Sequence, residues 1–103
     1  MKIEDLEDAV KKAGLRPLHK IERGNHTIYL AESDLETNSE YPFGFYQTAW
    51  FVAYGNGLQT GRPLNFKRDH DADQGWTETE RREKRLEAAL LDAEKWIADG
   101  KIS

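Results

Sequence analysis

The amino-acid sequence predicts an α+β fold: a four-stranded antiparallel sheet made of two hairpins, with N- and C-terminal helices packed on one face, in the order α-β-β-β-β-α. Three observations predict it. Apolar residues recur at helical spacing near both ends of the chain. Between them the pattern alternates with a period of two. The dipeptides Gly24-Asn25 and Asn56-Gly57 punctuate the alternating segments where hairpin turns belong.

Ile3, Leu6, Val10 and Ala13 share one face of a helix over residues 3–13. Gly14 suits the left-handed position after it, Leu15 can fold back on Val10, and Pro17 forbids continuation. Residues 18–23 and 26–31 then form a hairpin about Gly24-Asn25. That register pairs Arg23 with His26, Ile21 with Ile28 and His19 with Leu30 on one face. Lys20 with Tyr29 and Glu22 with Thr27 fall on the other.

Residues 32–40 make a polar connection whose Glu32, Asp34, Glu36 and Glu40 have no basic neighbour in sequence. The most strand-like segment is 43–54, rich in aromatic and β-branched residues, and it returns through Asn56-Gly57 as 58–67. A two-residue turn there sets Phe51, Ala49 and Gln47 opposite Arg62, Leu64 and Phe66. On the other face it pairs Val52 with Gly61, Trp50 with Pro63, Thr48 with Asn65 and Tyr46 with Lys67. Pro63 marks the return strand as an edge, because it cannot donate to a ladder. Thr77 and Glu80 form a capping box for a final helix. Its stripe is Leu86, Ala89, Leu90, Ala93, Trp96 and Ile97, and Gly100 ends it. The small Ala49 and Ala53, beside Phe43, Phe45, Phe51, Leu64 and Phe66, assign both helices to that face.

The 103 residues fit one domain, 1–103, and 38% hydrophobic content with eleven aromatic residues is enough for a packed core. The chain has no cysteine, which removes disulfides and thiolate metal sites and fits a reducing, cytoplasmic compartment. The first residues are too acidic for a signal peptide. The uncharged stretch 41–61 carries too many Pro, Gly, Asn and Gln residues for a membrane helix. Net charge is −4, and the most basic region, 62–85, holds seven basic residues against six acidic ones. That balance disfavours nonspecific binding to nucleic acid.

Function is expected at the sheet face away from the helices. Tyr29, Tyr46, Thr48, Trp50, Val52 and Tyr54 share it with Asn65 and Lys67, and Tyr and Trp are enriched where proteins meet partners. The leading expectation is a small non-enzymatic protein-binding module of accessory or inhibitor type, the kind of domain phages and mobile elements encode. Its partner is another protein, or a second copy of the chain as a homodimer. One alternative is a nucleic-acid-associated regulatory module that stacks bases on the same face and uses Lys20 or Lys67. The other is a calcium-stabilised domain. Asp69, Asp71, Asp73 and Glu80 stand at relative positions 1, 3, 5 and 12 of a calcium loop, although Gly75 comes one place late and no helix precedes. No enzyme is expected, nor any cofactor. The hydroxyls of Ser33, Ser39 and Ser103 stand in no catalytic setting. His70 adjoins aspartates in sequence, which is not a dyad in space.

Overall fold

The computed structural model describes residues 3–55, 57–69 and 72–101. Its elements are α1 (Ile3–Lys12), β1 (Arg16–Arg23), β2 (His26–Glu32), β3 (Phe45–Tyr54), β4 (Gly57–Thr60), β5 (Leu64–Lys67), a short 3₁₀ turn (Ala72–Gln74) and α2 (Glu78–Trp96). A wider helical turn, Ile97–Lys101, ends where Gly100 takes φ 78°. The fold is α+β, an antiparallel sheet with a short helix before it and a long one after it. No helix among the described residues is long and apolar enough to cross a membrane.

α1 stops as its sequence dictates. Gly14 adopts φ 78°, its N–H donates to the Lys11 carbonyl at 3.0 Å, and the Leu15 N–H donates to the Val10 carbonyl at 3.2 Å. These are the two bonds of a Schellman ending, and the buried Val10 and Leu15 supply its apolar contact. The hairpin register of β1 and β2 is the expected one from Arg23↔His26 to His19↔Leu30, with a bulge between Pro17 and His19.

The sheet runs β1-β2-β3-β4, and β5 also pairs with β3. The return strand is thus two short strands rather than one. Thr60 Oγ1 donates to the Trp50 carbonyl at 2.9 Å, Pro63 has no N–H, and the ladder resumes only at Leu64. The turn also lies one residue earlier than expected, since Tyr54 pairs with Gly57 rather than with Gln59. Gly55 holds φ 50° there, as a tight hairpin loop requires. Beyond the break Thr48 pairs with Leu64 and Tyr46 with Phe66, which sends Asn65 and Lys67 to the opposite face from Thr48 and Tyr46.

The placement of both helices on one face is corrected by the structure. β2 pairs with β3 so that Ile28 meets Val52, Leu30 meets Trp50 and Tyr29 meets Phe51. Ile28 and Leu30 therefore join the Trp50 face, and Tyr29 joins the Phe51 face. A slip of one residue reverses every side chain, and nothing in the hairpin turns specifies how β2 meets β3. The sheet is thus apolar on both sides and takes a helix on each. α1 and the residues after it place Val10 and Leu15 against Tyr29, Ala31, Ala49 and Phe51. α2 places Leu86, Ala89 and Ala93 against Ile28, Leu30, Trp50 and Val52. The three layers are α1, sheet, α2.

Candidate functional site

The expected aromatic surface is the floor beneath α2. Trp50 is 3% exposed, Val52 and Thr48 are 0%, and Tyr29 is buried on the other face. The Trp50 indole N–H donates to Asp92 on α2 at 2.7 Å, and Trp96 lies 5.7 Å from Trp50 and 5.9 Å from Tyr54, centroid to centroid. Gly61 completes the seat, since a Cβ there would stand 2.6 Å from the indole. Of the eight residues assigned to that surface, Asn65 and Lys67 are exposed, and their register puts them on the α1 face. The eight do not share one exposed face.

At one end of the α2 interface lies a buried polar centre that the sequence reading missed. Glu32, expected in an unpaired acidic connection, ends β2 and is 1% exposed, as is Arg85 on α2. Arg85 Nε and Nη2 donate to the two Glu32 carboxylate oxygens at 2.7 and 3.0 Å. Thr48 Oγ1 donates to the same carboxylate at 2.8 Å, and Arg82 Nε stands 3.8 Å away. The guanidinium carbon sits 4.2 Å from the centroid of the Tyr46 ring. A fork-on-carboxylate pair with a hydroxyl and an aromatic face satisfies most of what burial takes from water. The signal was in the spacing. Glu32 keeps the period of Ile28 and Leu30, and Arg85 lies four residues before Ala89, so two opposite charges occupy apolar phases. Asp34, also expected without a basic partner, lies 3.0 Å from Arg16.

The calcium reading gains no geometry. Asp71 lies outside the described residues, and among those described no group of His, Asp and Glu gathers to hold a metal. The Glu80 carboxylate accepts the Thr77 N–H at 3.2 Å. Nearby, the Arg81 guanidinium grips Glu78 and holds its carboxyl below the usual glutamate range.

What the structure does display is the connection from β2 to β3. Ser33 opens it, donating its N–H to the Gln47 carbonyl at 2.8 Å and accepting the Gln47 N–H on Oγ at 2.9 Å. Glu36 and Phe45 exchange two backbone bonds of 3.0 and 2.8 Å. Asn38 Oδ1 accepts the Tyr41 N–H at 2.7 Å, and the Tyr41 carbonyl accepts the Gly44 N–H at 3.2 Å. Gly44 has φ 112°, and Leu35 packs so closely over it that a Cβ would come within 2.7 Å. The Tyr41 and Phe45 rings lie 5.1 Å apart. This framework holds Phe43, expected in the core, 85% exposed at the tip. Tyr41, Pro42 and Phe43 line a groove of about 220 Å³ whose charged rim is Glu40, Lys67 and Asp69.

Comparison of the chain with protein-family models, with curated proteins and with solved structures found no match.

Proposed function

We propose that this chain is a small non-enzymatic module that binds another protein through its 35–44 loop. The observation that carries the reading is Phe43, 85% exposed on a loop whose backbone is hydrogen-bonded at its base and across its tip. An aromatic ring left in water forgoes roughly 1.5–3 kcal/mol of burial. An ordered loop also costs conformational entropy. A partner that covers the ring recovers the first without incurring the second again, which is the economy of a preorganised anchor. The half-exposed Leu35 and the exposed Pro42 widen the apolar contact, and Glu36 and Glu40 flank it. The matching partner is a protein with an apolar pocket rimmed by Lys or Arg. The cysteine-free composition is in keeping with a cytoplasmic setting.

The test uses the full chain as bait in a cell extract, beside Phe43→Ser and Leu91→Ser. Leu91 is an exposed leucine on α2 and serves as the control. The reading expects a protein held by the wild type and by Leu91→Ser but lost by Phe43→Ser, with affinity for the purified partner falling about 30-fold. Phe43→Ser should melt with the wild type. Retention of the same partner by Phe43→Ser would reject the loop as the contact. Capture of nucleic acid that weakens steeply with salt would favour the regulatory alternative.

A further inference from the structure

β1 is an edge: among the described residues its ladder runs to β2 alone. The opposite edge is broken between β4 and β5, and Pro63 offers no N–H to a further strand. β1 differs. From His19 to Arg23 it is regular, with its bulge confined to the stretch between Pro17 and His19. Hairpin parity decides which groups this edge presents. The loop Gly24-Asn25 closes on Arg23 and His26, and such a turn bonds its first carbonyl to the N–H three residues on. Bonded and open pairs then alternate. Arg23, Ile21 and His19 spend their backbone groups on β2, while Glu22 and Lys20 aim theirs outward.

We propose that this edge pairs with a second copy of the chain, the two β1 strands antiparallel about a two-fold axis at Ile21. Outward-facing residues must oppose one another in the new bonded pairs, which leaves axes at Lys20, Ile21 or Glu22 near the middle of the regular segment. An axis at Lys20 sets two lysines face to face, and one at Glu22 sets two glutamates face to face. Like charges directly opposite destabilise a ladder. The axis at Ile21 alone opposes Lys20 of each copy to Glu22 of the other. Both side chains are exposed and share a face, with Lys20 Nζ 3.4 Å from Glu22 Oε1 within one chain. A lysine on an edge ordinarily deters a further strand; paired with Glu22 it selects a register instead. On the α2 side, the same axis sets Ile21 against Ile21 in an open pair with about 4.5 Å between Cα atoms. Ile21 is half-buried beside a groove of about 220 Å³ that Leu30, Leu86 and Leu90 also line, so the seam extends an apolar surface already present. The contact is isologous and self-closing.

Sedimentation equilibrium tests it on four samples: the wild type, Lys20→Glu, Glu22→Lys, and an equimolar mixture of the two variants. The wild type should reach twice the 11.9 kDa chain mass. Each variant alone, carrying two like charges, should self-associate at least about tenfold more weakly. The mixture should restore a one-to-one dimer, because every glutamate then meets a lysine. Circular dichroism should be unchanged throughout, since both side chains are exposed. A wild type that stays monomeric up to about 1 mM, a variant as dimeric as the wild type, or a mixture that stays monomeric would each overturn the proposal. Phe43→Ser should leave the dimer intact, so this contact and the loop contact stand or fall separately.

Discussion

Glu32 and Arg85 show what a single residue pair decides in this molecule. Removing one partner leaves the other as an uncompensated charge in a dry site, at a cost of about 3–5 kcal/mol. Arg85→Met should therefore lower the urea midpoint sharply, by an amount comparable to much of a small domain's stability. Replacing both, as Glu32→Leu with Arg85→Met, should recover most of the loss, because an apolar pair of similar size incurs no desolvation penalty. A double variant as unstable as Arg85→Met would mean that Thr48 and Tyr46, which also contact the pair, depend on its charge. The pair ties the end of β2 to α2 across 53 positions of sequence. It fixes where along the sheet the helix sits.

At the scale of the element, α2 carries its own start signal. Thr77 Oγ1 accepts the Glu80 N–H at 3.2 Å, and the Glu80 carboxylate returns the bond to the Thr77 N–H. Thr77→Ala should cost about 1 kcal/mol, read as a shift of the thermal midpoint. Glu78 adds a pH dependence of known sign. Its carboxyl is held low, first by the hydrogen bond from Arg81. The stability it contributes is therefore fully present above the unfolded glutamate pKa and is lost as pH falls through the lower folded value. Glu78→Gln should flatten that acid limb. The effect is small, because the side chain is 58% exposed and the pair is screened by solvent.

The whole molecule is three layers, and each face of β3 belongs to a different helix. Trp50 and Tyr54 lie under α2 with Trp96. Replacing a buried tryptophan by a small residue costs about 3–5 kcal/mol. Trp50→Ser with Tyr54→Ser should accordingly lose cooperative unfolding and near-ultraviolet dichroism, whereas Phe43→Ser keeps both. A folded double variant would contradict the placement of α2. The layering also explains why the exposed aromatic ring of Phe43 lies in a connection: a helix covers each face of the sheet.

Much of this was legible in the sequence, and the legible part is local. The Schellman ending at Gly14, the register about Gly24-Asn25 and the capping box at Thr77 each depend on residues a few positions apart, so short-range sterics and hydrogen bonding settle them. The second hairpin turns one residue earlier than Asn56-Gly57 implies, because Gly55, Asn56 and Gly57 each suit a left-handed position in sequence and only the packed strands choose the pairing Tyr54↔Gly57. Phe43 continues the apolar phase of β3 in sequence but stands exposed, because Pro42 and Gly44 on either side turn the chain before the strand begins. The sequence by itself therefore determined the elements, their order and the α+β class. The tertiary structure alone decided how β2 registers against β3, because the 33–44 connection is too long to impose a register. From that followed the rest: the faces of Tyr29 and Trp50, a helix on each side of the sheet, and a buried Glu32 waiting for Arg85. A sheet has a period of two, so one residue of register decides which face meets which helix.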